Sequence, residues 1–118
     1  MSDKETAIRK AVDRTCASKI LRTLHNHEGF YFYTARGEYT EKTAKSLKGL
    51  AKILQVVEIQ SVDYHFGRGD FRRWIQFILS DIDLSAIINR IPQGTQGEKL
   101  RSALIKTVNE RIEELKKI

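Results

Sequence analysis

An imidazole, a guanidinium and a carboxylate fall close together in this 118-residue chain, at His65, Arg68 and Asp70, with Tyr64 beside them and Gly67 and Gly69 bracketing the turn. Such a set can surround one small anion or a partner's loop, because guanidinium offers a fork of donors and imidazole changes charge near neutral pH. The same residues have an internal reading. Asp70 would cap the helix that follows, Arg68 would pair with a nearby carboxylate, and His65 would bond within the fold. His65 with Asp70 is also the one pair on which an enzyme reading rests.

A second set is aromatic and basic. Phe30-Tyr31-Phe32-Tyr33 places four aromatic residues in succession, and Arg36 follows three residues later. Exposed tyrosines could stack on unpaired bases while cations hold phosphates, since every base has a π-face. Lys42, Lys45, Lys48 and Lys52 fall on one side of a helix drawn through them. Extended backbone alternates its side chains, however, so one pair, Phe30 with Phe32 or Tyr31 with Tyr33, is owed to a core. The lysines have an equally plain use as a solvated face.

Other chemistries lack a cast. Cys16 and His25-x-His27 would be separated along a helix axis, whereas zinc needs three or four convergent ligands, so no metal site is expected. Cys16 stands next to Ala17 and near Ile20, which predicts burial rather than a reactive thiol. Asp81 and Asp83 flank a helix start, where capping is their natural work. There is no glycine-rich phosphate loop or dinucleotide fingerprint, and Ser46 lacks the glycines of a hydrolase elbow, so no cofactor is expected.

These groups must be positioned by a chain the size of one domain, with 41% hydrophobic and 31% charged residues. Lys and Arg number 21 against 15 Asp and Glu, a balance of +6 that leaves contact with nucleic acid open. The cations are spread along the chain, without the tail or block that strong polyanion binders use. No apolar run approaches the ~18 to 20 residues of a membrane span, and the start, Met1-Ser2-Asp3-Lys4-Glu5, is not that of an export signal. A cytoplasmic protein without membrane contact is expected, and a lone cysteine fits a reducing compartment.

Hydrophobic spacing predicts a mainly helical domain of about five helices with a short extended aromatic segment. The first helix is drawn from about Lys4 to Leu24, closed by a left-handed Gly29. The aromatic run follows as a strand. Thr40 is expected to cap a helix carrying Ala44, Leu47, Leu50, Ala51 and Leu54. A short helix is read through Ile59, Val62 and Phe66, and Asp70 is expected to cap the next, from Phe71 to Leu79. Ser80 or Asp81 then caps a helix ending before Pro92. Residues 92–97 form a loop, and Thr95 with Glu98 has the form of a capping box for the terminal helix. Leu100, Leu104, Val108, Ile112 and Leu115 stripe that helix, which must be covered by this domain or by a second copy, hence an expected homodimer.

Several of these stretches occur together: Phe30-Tyr31-Phe32-Tyr33-Thr34, Gly37-Glu38-Tyr39-Thr40, Ala44-Lys45-Ser46-Leu47, and Tyr64-His65-Phe66-Gly67-Arg68-Gly69-Asp70-Phe71-Arg72-Arg73-Trp74-Ile75, then Ser80-Asp81-Ile82-Asp83-Leu84. In that order they resemble a small archaeal and bacterial domain of unknown function, over about residues 30–91. The resemblance implies a mostly helical module and carries no activity or ligand. The functional expectation is a non-catalytic regulatory or adaptor module that binds a protein partner at the Tyr64–Trp74 turn. Nucleic-acid binding through the lysines and tyrosines is the alternative.

Overall fold

The computed structural model describes residues 13–118. They form six α-helices and one hairpin: α1 (Arg14–Leu21), a 3-10 turn (Asn26–Glu28), β1 (Phe30–Tyr33), β2 (Tyr39–Ala44), α2 (Leu47–Val56), α3 (Ile59–Arg68), α4 (Asp70–Phe77), α5 (Ile82–Asn89) and α6 (Gly97–Lys116). The mainly helical class with a short extended aromatic segment is the class observed. Ile8, Ala11 and Val12 of the expected first helix lie outside the described residues.

The terminal helix organises the packing. Leu100, Leu104, Val108, Ile112 and Leu115 recur every three or four residues and are all buried, with α1, α2, α3 and α5 against the helix. Each such side chain contributes roughly 1.5–3 kcal/mol by leaving water. The stripe is covered within this chain, one of the two coverings the spacing allowed. Thr95 and Glu98 do not form the predicted capping box. Asp63 on α3 accepts the Gly97 N–H at 2.8 Å, and Glu98 pairs with Arg101 at 3.0 Å. A tertiary acceptor replaces the local one.

Asp81 caps α5 as expected, accepting the Leu84 N–H at 3.1 Å. Its carboxylate also receives Arg111 of α6 through two bonds of 2.8 and 2.9 Å, both side chains being buried. Glu114 is a further partner of that guanidinium. Burial alone would lower the Arg111 pKa; the bonds and charge of Asp81 and Glu114 outweigh it and hold the value above the ordinary one.

The hairpin pairs Phe30 with Ala44, Tyr31 with Thr43 and Tyr33 with Tyr39, the register slipping between Tyr31 and Tyr33. Phe30 and Phe32 face the core; Tyr33 and Tyr39 are exposed. Thr40 belongs to β2, not to a helix cap, and its hydroxyl donates to the Phe32 carbonyl at 2.8 Å. The cap of α2 is Ser46, which accepts the Gly49 N–H. The four-lysine helix face therefore does not exist. Lys42 lies on β2, Lys45 in the connector, and only Lys48 and Lys52 on α2.

α1 ends at Leu21, and Gly29 is extended (φ −67°) rather than left-handed. Gly29 is needed for a different reason: a Cβ there would lie 2.8 Å from the Thr43 methyl and 3.1 Å from the Ala44 carbonyl. Cys16 is exposed, correcting its predicted burial, because the apolar side of α1 is centred on Ala17 and Ile20, one helical step away.

A tyrosine and guanidinium cleft over a buried histidine

The left-handed conformation appears instead at Gly69, with φ +74°. It ends α3 and begins α4 in one residue, a turn that only glycine makes without strain. Asp70 thereby becomes the first residue of α4, not its cap, and among the described residues its carboxylate accepts no backbone N–H. It turns back on α3. His65 Nδ1 donates to Asp70 Oδ2 at 2.8 Å, and Arg68 Nε donates to the same oxygen at 3.1 Å. Arg73 donates to Oδ1 at 2.8 Å and to the Arg68 carbonyl at 2.7 Å.

His65 is 5% exposed. Its ring stands edge-on to Phe30 at 4.8 Å and lies within 5.9 Å of Phe32 and Phe71. Its Nε2 accepts the backbone N–H of Tyr33 at 2.8 Å, which leaves the proton on Nδ1. The Ser61 hydroxyl closes the same clamp by donating to the Tyr33 carbonyl at 2.7 Å. Both ring nitrogens of His65 are therefore engaged within the fold.

Burial lowers the His65 pKa below 6.5, with Arg68 acting the same way against the opposing pull of Asp70. For Asp70, partial burial acts upward, but bonds from His65 and Arg73 and the charge of Arg68 hold it below 3.8. In both cases the unfolded chain takes up the proton first on acidification, so the stabilisation is full at high pH. Melting temperature is expected to fall as the pH drops through about 6.5, and again below about 4 as Asp70 titrates. Melts recorded from pH 8 to 3 check this. A profile flat to pH 4.5 would contradict a neutral, buried imidazole.

Tyr64 and Arg68 complete the expected group at the surface. Arg68 NH1 donates to the Tyr64 hydroxyl at 3.1 Å, and the guanidinium carbon lies 5.1 Å from the Tyr64 ring centre, a cation–π arrangement. The Arg68 side chain is 57% exposed. The structure thus brings together all four predicted residues, with His65 beneath and Arg68 above.

Tyr31 and Tyr33 border the same place. A shallow cleft of about 330 Å³ runs between β1 and the end of α3, bounded by Tyr31, Tyr33, Tyr64, Arg68 and Asp70. Tyr31 is half-buried and donates its hydroxyl to the Asn26 carbonyl. Arg36 stands apart, beside a different depression with Glu38 and Glu58. Two residues adjoining this group were missed in the sequence. Tyr39 packs between Tyr31 and Tyr33, with ring centres 5.8 and 5.5 Å away, and Arg73 holds the second oxygen of Asp70. Reading the Gly37 turn as a hairpin would have placed Tyr39 opposite Tyr33.

Among the described residues, no group of three or more His, Cys, Asp or Glu side chains is placed to hold a metal ion. No described helix is long and apolar enough to cross a membrane. No curated protein and no solved structure matches the chain. The profile of a family of unknown function, DUF5752, matches residues 4–109, a wider span than the stretch carrying the resemblance. The chain, with its hairpin tyrosines set against the His65–Asp70 corner, belongs to that family of unknown function.

Proposed function

We propose that this domain is a non-catalytic binding module, an adaptor or regulatory piece, that engages a protein partner through the outer face of its hairpin and the end of α3. The observation that carries this reading is the rim of the cleft. Tyr33, 38% exposed, lines it together with Arg68, and Tyr39, 42% exposed, packs against Tyr33 on the hairpin, in a surface fixed from below by the hydrogen bonds of His65. Tyrosine and arginine are the residues that dominate binding energy at protein interfaces, and rigid rings lose little entropy on contact.

The lysines are divided among a strand, a connector and a helix rather than aligned along one helix, and this favours a protein partner over a nucleic-acid strand. Selection of displayed random peptides against the domain tests the reading, with a Tyr33→Ala, Arg68→Ala variant as the counter-target. Enriched peptides are expected to lose at least about tenfold in affinity for the variant, the loss typical of one or two interface anchors. Peptides that bind both proteins equally would overturn it.

A further inference from the structure

Arg68 is only partly used by its own fold. A guanidinium has five N–H donors. One from Nε reaches Asp70 and one from NH1 reaches Tyr64; among the described residues the others meet no acceptor. Asp70 itself is oversubscribed. It serves two guanidinium groups, those of Arg68 and Arg73, while His65 stays neutral, so the cluster keeps one uncompensated positive charge at the edge of the cleft.

The guanidinium is also held in place. Tyr64 supports its face and Asp70 its inner edge, so an arriving anion meets an arginine whose side-chain freedom is already spent. Bidentate pairing of a fixed guanidinium with carboxylate or phosphate is among the strongest charge-assisted contacts available to a protein.

We propose, building on the binding-module reading, that the cleft receives a peptide segment with one anionic side chain, its oxygens on the outer edge of Arg68 and a neighbouring apolar or aromatic side chain on Tyr33. Both halves of the ligand follow from the walls: a single unneutralised cation on one side and tyrosine rings on the other. A polyanionic strand fits less well. The hairpin that carries the tyrosines also exposes Glu38 and Glu41, and Asp70 lies within the cleft, so no continuous track of cations accompanies the rings. The three hairpin rings are tilted at 44° and 48° against one another, which makes a closed aromatic patch rather than open slots for successive bases.

The shared chemistry, an anionic oxygen next to a flat apolar group, can come from a carboxylate or from a phosphorylated residue, and small probes separate them. Phenyl phosphate, phenylacetate and the neutral benzyl alcohol are titrated into the labelled domain while Tyr33 amide and Arg68 Nε resonances are followed. Both anions, or phenyl phosphate alone, are expected to shift these signals saturably, and benzyl alcohol to bind at least about tenfold more weakly, as befits the loss of a charge-assisted pair. Arg68→Gln should abolish the difference between charged and neutral probes while the melting temperature stays close to that of the parent. Arg68→Lys, which keeps charge but not the fork, should restore it only in part.

Equal binding of charged and neutral probes, or anion binding unaffected by Arg68→Gln, would overturn the proposal. So would tight, steeply salt-dependent binding of a thymidine oligonucleotide that involves Arg68 and Tyr33, which would make the surface a nucleic-acid site. Selected peptides that need Tyr33 but carry no acidic residue would remove this inference and leave the binding-module reading standing.

Discussion

Replacing Arg111 by alanine is expected to lower the unfolding free energy by about 3–5 kcal/mol, the cost of leaving a buried carboxylate without its counter-charge. Domains of this size are stable by only about 5–15 kcal/mol in all, so the variant would stand near the edge of folding. The cause is geometric. Arg111 is 6% and Asp81 2% exposed, the pair is bidentate, and Asp81 also caps α5. Without the guanidinium, that carboxylate is left buried without its counter-charge at the join of α5 and α6. Urea unfolding with an unchanged slope is the measurement. A second substitution separates the charge from the packing. Arg111→Met combined with Asp81→Asn keeps a side-chain oxygen to accept the Leu84 N–H and buries no ion, so it should recover most of the loss. A loss below about 1 kcal/mol in the alanine variant would show that the pair contributes no more than a surface bridge.

His65→Ala should destabilise the domain by about 3 kcal/mol and abolish the acid step near pH 6.5. Two deficits add up. The Tyr33 N–H loses its acceptor on α3, at a cost of up to about 1–3 kcal/mol for a donor left unpaired, and the ring leaves a cavity among Phe30, Phe32 and Phe71. The effect is local as well as global. Hydrogen exchange at the Tyr33 amide should accelerate more than at α6, because His65 and Ser61 are what fasten β1 to α3. An unchanged melting temperature would mean that the imidazole is free for another use, and would reopen the acid–base reading.

Those two positions show where the sequence was legible. The apolar stripe of α6 could be read in advance because periodicity near 3.6 is a local property, and the strand at Phe30 because aromatic alternation is another. The cap at Asp81 was visible for the same reason; its partner Arg111, 30 residues away, was not, since nothing local distinguishes a buried arginine from a solvated one. Thr40 and the four lysines were misplaced together. Helical spacing persists through residues 42–52, and only the return strand pairing with β1 claims Thr40, Lys42 and Ala44 for a sheet.

By itself the sequence determined the helical class, the position of the aromatic strand, and the grouping of Tyr64, His65, Arg68 and Asp70, because residues within six positions of a glycine turn cannot be far apart. The tertiary structure alone decided how that group divides. Packing of β1 against α3 drew the imidazole under Tyr33 and fixed its proton, while the turn at Gly69 left Arg68 outside with donors to spare. Burial depends on what other segments cover a residue, and the covering segments come from elsewhere in the chain.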